Sequence, residues 1–66
     1  MQPFFIIEDE ESEYKGQIAT LIYKESKNGL TIFYCRMDNG DRANFLSCQI
    51  GESFFLRSEA EQWKNK

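Results

Sequence analysis

Residues 17–50 read QIATLIYKESKNGLTIFYCRMDNGDRANFLSCQI, and the two Asn-Gly pairs in that stretch, Asn28-Gly29 and Asn39-Gly40, decide the fold. A type I′ turn needs positive φ at both central residues, so an Asn-Gly pair between β-rich runs reads as a hairpin turn. The flanking runs are Gln17 to Lys24, Leu30 to Arg36 and Arg42 to Ile50. They are rich in Ile, Thr, Phe and Tyr, which suit a half-buried pleated surface. Three antiparallel strands in a meander follow.

Working outward, Pro3 to Glu8 reads as a further strand, with Pro3 at its start or on an edge. The acidic run Glu8, Asp9, Glu10, Glu11 and Glu13 then becomes a solvated connecting loop. Beyond Gly51, Ser53 to Leu56 is a short fifth strand. Ser58 with Glu61 forms a capping-box pattern that opens a short helix. Ala60 and Trp63 share one face of that helix, and Lys64 and Lys66 suit its negative end. The expected architecture is mainly β: a four- to five-stranded antiparallel meander, curled or barrel-like, ended by a short C-terminal helix. It resembles SH3-like and oligonucleotide-binding (OB-like) barrels in architecture, and a fold of that kind licenses no function by itself.

The chain's 66 residues leave room for one domain, 1–66, because a chain this short buries only about 60% of the surface its unfolded form exposes. Ten aromatic residues, six of them Phe, supply enough apolar bulk for a core. Cores of this size seldom give more than roughly 3–5 kcal/mol, so self-association as a homodimer is a natural expectation. The net charge of −3 is polarised. With the five acids of residues 8–13 set aside, residues 14–66 carry eight basic and six acidic side chains. Mild overall acidity of this kind bears on solubility and does not describe any one surface.

Two cysteines are too few for a disulfide framework, and with no His a Cys/His zinc site is not expected. The acidic run lacks the alternating Asp/Asn, turn Gly and final Glu of an EF-hand, and the four glycines form no phosphate loop. No cofactor or metal is expected. No nucleophile motif or paired-carboxylate cleft is legible, so the chain reads as a non-enzyme. The only apolar run near the start, Phe4 to Ile7, has acids directly behind it. No stretch approaches the 18 residues of a membrane span, so a cytoplasmic protein is expected.

Tight turns fix register. Two-residue loops pair Tyr23 with Tyr34, Ile22 with Cys35 and Lys24 with Phe33, and then Tyr34 with Phe45, Phe33 with Leu46 and Thr31 with Cys48. An inner face of Ile18, Ile22, Phe33, Cys35, Leu46, Cys48 and Ile50 follows, with Cys35 and Cys48 as free, buried thiols too far out of register to bridge. The outer face collects Leu21, Tyr23, Leu30, Ile32, Tyr34, Arg36 and Phe45, too apolar for an ordinary solvated surface. Asp38 and Asp41 would oppose each other across the second turn, a small penalty against a two-residue loop there. A slip of one residue would exchange the faces of the following strand.

Tyr23, Ile32, Tyr34, Arg36 and Phe45 are therefore the candidate binding residues. Tyr, Phe and Arg are the types in which protein interfaces concentrate their energy, so a protein partner or a second copy is the first expectation. Strand addition at a sheet edge is a related mode. The alternative is single-stranded nucleic acid, stacked on the rings and held through phosphate by Lys24, Lys27, Arg36 and Arg42. Glu25 on the same face and the absence of a basic field weigh against it. Enclosure of the rings as ordinary core is the reading to beat.

Overall fold

A computed structural model describes residues 3–65. Five strands form a single antiparallel sheet: β1 (Phe4–Ile7), β2 (Ile18–Lys27), β3 (Leu30–Met37), β4 (Arg42–Leu46) and β5 (Ile50–Phe54). One turn of 3₁₀ helix, Ser47–Gln49, joins β4 to β5, and helix α1 spans Arg57–Lys64. The neighbour order is β4-β3-β2-β1-β5, a meander whose last strand returns beside the first. The sheet is curled and open between β4 and β5. That order is not the Greek key of oligonucleotide-binding barrels. The third expected strand is divided in two, with Ile50 opening β5, and β5 begins earlier than Ser53.

The first Asn-Gly turn is the expected one. Asn28 and Gly29 both have positive φ, 53° and 80°, and Tyr23 opposes Tyr34 while Lys24 opposes Phe33. Beyond Tyr23 the ladder shifts: Leu21, not Ile22, opposes Cys35, and Ile22 is the extra residue of a β-bulge. A bulge bends its strand and increases twist, which here helps curl the sheet.

The second turn is longer than two residues. Met37 donates its N–H to the Asp41 carbonyl at 2.8 Å, and Gly40 donates to the Met37 carbonyl at 3.0 Å, closing a loop of Asp38, Asn39 and Gly40. Only Gly40 of this pair has positive φ, 92°. The Asn39 carboxamide accepts the Asp41 N–H and donates to the Asp41 carboxylate, at 2.9 and 3.0 Å, while the Asp38 carboxylate turns to Arg57. The opposed-aspartate problem is thereby removed. The register moves by one, so that Phe33 opposes Phe45 and Ile32 opposes Leu46.

Face assignments change with this register and with the bulge in β2. Phe45, expected outside, is 3% exposed in the main core with Phe5, Ile7, Ala19, Cys35 and Met37, and Leu21 packs against the same cluster. Leu46 and Cys48, expected inside, are exposed; both thiols are free, but only Cys35 is buried. Ile18 is buried on the opposite side of the sheet, against Ala60 of α1 with Ile6, Phe4 and Phe54. Phe33 does lie on the inner side, its ring edge-to-face with Phe5 at 5.4 Å.

Side chains seal the open seam. Tyr14, from the loop after β1, meets the Phe45 ring edge-on at 6.1 Å and donates its hydroxyl to Asp41 at 3.1 Å. Gln49 accepts the Leu46 N–H at 2.8 Å and donates to the Asp9 carboxylate at 2.7 Å, while its own carbonyl accepts the Glu8 N–H. The acidic loop is therefore tied at Asp9, and that Gln49 bond above all holds the carboxyl below its ordinary range. Helix α1 starts one residue before Ser58, and Leu56 occupies the cap position with no side-chain cap. Ser58 is inside the helix, and Glu61 bonds Arg57 rather than closing a capping box. Lys64 is in the last turn as expected; Lys66 lies outside the described residues.

Candidate functional site

Alternation along β2 and β3 from the first turn puts Tyr23, Glu25 and Lys27 on the outer side, with Leu30, Ile32, Tyr34 and Arg36 opposite them. The shifted register of β4 adds Arg42, Asn44 and Leu46. Helix α1 packs on the outer side of β1 and β5, with Ala60 against Ile18, and leaves this half of the sheet open. Tyr23 is 54% exposed, Leu30 56% and Leu46 38%. The covered half and the open half share one sheet.

Cross-strand rows organise the open face. Thr20, Arg36 and Arg42 form the first, Tyr23, Tyr34 and Asn44 the second, and Glu25, Ile32 and Leu46 the third. The two tyrosine rings stack with centroids 4.4 Å apart and planes 14° from parallel. Partial burial, then the charge of Glu25, then Tyr23 push the Tyr34 phenol above its ordinary range, so Tyr34 remains a neutral donor near neutral pH.

Of the expected site residues, Tyr23, Ile32, Tyr34 and Arg36 come together here. Phe45 does not: the longer second loop turns its ring into the core. Leu46 takes the place intended for it, and Asn44 joins the face beside Tyr34. The clash of Asp38 with Asp41 was the one sequence signal that could have found these residues.

Other features offer less. A groove of about 400 Å³ runs between Ile6, the acidic loop and Trp63, but two of its charges, Lys15 and Glu10, already pair at 2.6 Å. Among the described residues no group of three His, Cys, Asp or Glu side chains gathers to hold a metal ion. The Cys35 thiol is buried, which pushes its pKa up to about 11. No described helix is long and apolar enough to cross a membrane. No protein-family model, curated protein or solved structure matches this chain.

Proposed function

We propose that this chain is a non-enzymatic protein-interaction or regulatory domain that docks its partner on the open outer face of β2, β3 and β4. The observation that carries this reading is an apolar centre in which Tyr23, Leu30 and Leu46 are exposed and Ile32 and Tyr34 half-buried, on a sheet whose other half is covered. Exposed apolar surface of this kind, rimmed by Arg36, Arg42, Asn44, Glu25 and Lys27, has the anatomy of an interface core with a polar rim. The partner is another protein or a second copy of the chain. Two free thiols favour a reducing cytoplasm as the place of action.

Single-stranded nucleic acid is the second reading, favoured by the Tyr23–Tyr34 stack beside two arginines. It ranks lower because the rings already cover one face of each other and the rest of the centre is aliphatic. The deciding experiment places a photo-crosslinking side chain at Leu30 in living cells and a control at Glu59 on α1. A discrete protein adduct at Leu30 only, abolished by Ile32→Lys, is expected. Adducts to nucleic acid would move the second reading to first place, and equal labelling from both positions would remove the face as a site.

A further inference from the structure

The row at one end of the face contains a feature that sheet stability does not explain. Arg36 and Arg42 are direct cross-strand partners, and like charges placed directly opposite destabilise a sheet. Neither side chain has an ion pair or hydrogen bond among the described residues, although the chain carries eleven carboxylates. Arg57 shows the contrast, since it is held by both Asp38 and Glu61. Thr20 and Asn44, beside the arginines, add short polar side chains able to share an acceptor. Counting Lys27, the open face presents three cations against one carboxylate, Glu25, in a chain whose net charge is −3.

We infer that Arg36 and Arg42 together anchor a carboxylate of an acidic segment in the partner protein, whose neighbouring apolar side chain lies over Tyr34 and Ile32. This rests on the protein-docking reading and gives the partner its chemistry. Arginine's planar fork matches a carboxylate in two parallel hydrogen bonds, and a bound anion between the two guanidinium groups removes their repulsion. A symmetric pairing of two copies through this face would meet its excess positive charge with the same excess, so an acidic heterologous partner fits better. Glu25 at the far end and the aliphatic centre favour a peptide over a phosphodiester chain.

The test is an amide-shift titration of the whole labelled chain, at low and moderate salt, with three probes: the peptide Glu-Leu-Glu-Glu-Leu-Glu, its Gln-for-Glu counterpart, and octathymidylate. The acidic peptide should shift Thr20, Tyr34, Arg36, Arg42 and Asn44 and bind at least tenfold more tightly than the neutral one. Arg36→Glu should cancel that preference. It should also raise the melting temperature, because an opposed Glu/Arg pair replaces an opposed Arg/Arg pair, so loss of binding is not loss of fold. Equal binding of the acidic and neutral peptides at this face would overturn the arginine anchor and leave the docking reading intact. Tighter binding of octathymidylate would overturn both in favour of nucleic acid, and no shift on the face with any probe would also count against both. A fall in melting temperature on Arg36→Glu would remove the repulsion from which the inference starts.

Discussion

The two Asn-Gly turns have the same two residues and different geometries, and the difference decides which side chains are core. At residues 28–29 both residues take positive φ, a two-residue loop results, and the hairpin tip projects with every residue from Tyr23 to Leu30 exposed. At residues 39–40 only the glycine does, a third residue enters the loop, and the tip is tied down by Arg57 on Asp38 and Tyr14 on Asp41. An Asn-Gly pair thus specifies that the chain turns; its flanking residues specify where. The free turn supports the open face, while the tethered turn serves the core.

The largest effect that can break this contrast is in β4. Phe45→Ala should cost about 3–5 kcal/mol, enough to unfold a domain of this size, whereas Leu46→Ala should cost under about 1 kcal/mol. Urea titrations that reverse the order would restore a two-residue second loop. Thiol accessibility reads the same register without mutation. Cys48 should react with an aromatic disulfide reagent at once, and Cys35, buried and with its pKa near 11, on the order of 10² times more slowly or only on unfolding. Equal rates would place both thiols in the same environment.

A smaller effect separates the turns themselves. Asn39→Gly removes two side-chain hydrogen bonds and should cost about 1 kcal/mol, while Asn28→Gly keeps a positive-φ position permissive and should change stability by less than about 0.5 kcal/mol. Equal costs in chemical denaturation would mean the turns share one geometry. The smallest effect concerns the tether. The hydrogen bond from Arg57 holds the Asp38 carboxyl below its ordinary range, outweighing the opposing effect of burial. Its stabilisation is therefore present above the unfolded carboxyl value and is lost as pH falls through the lower folded value. Both side chains are substantially exposed, so Arg57→Ala should cost under about 1 kcal/mol at neutral pH. The gap between variant and parent should close in acid; a gap that persists there would assign the effect to packing of the arginine stem.

The fold class was legible because turn chemistry and alternation act locally, and Asn28-Gly29 with its neighbours fixes its turn and the pairs from Lys27–Leu30 to Tyr23–Tyr34. The second loop was not: the opposition of Asp38 and Asp41 counted against two residues, but the cap of Asn39 on Asp41 and the pull of Arg57, which is 19 residues from Asp38, are contacts that only the folded chain shows. The bulge at Ile22 lies in a run of apolar residues where nothing in the sequence distinguishes one ladder shift from another. Leu21 takes the inner place because of it. The helix start was misplaced for a related reason: Ser58 has the right chemistry for a cap, but Arg57 is drawn into the first turn by partners on both sides. The candidate face survived these shifts at Tyr23, Ile32, Tyr34 and Arg36, because all four are counted from the turn that behaves as its sequence says. Phe45 was counted from the other.

The position of β1 between β2 and β5 has a consequence for how the molecule is made. Strands β2 to β4 pair with their neighbours in sequence and can assemble as the chain lengthens, but Phe4 must wait for Phe54. Long-range pairing of this kind slows folding. During synthesis the Phe4-Phe5-Ile6-Ile7 run is among the first parts of the domain to emerge and the last to gain both its strand neighbours. For that interval it is an apolar strand with one open edge, the kind of surface on which chains aggregate, and the final strand covers it.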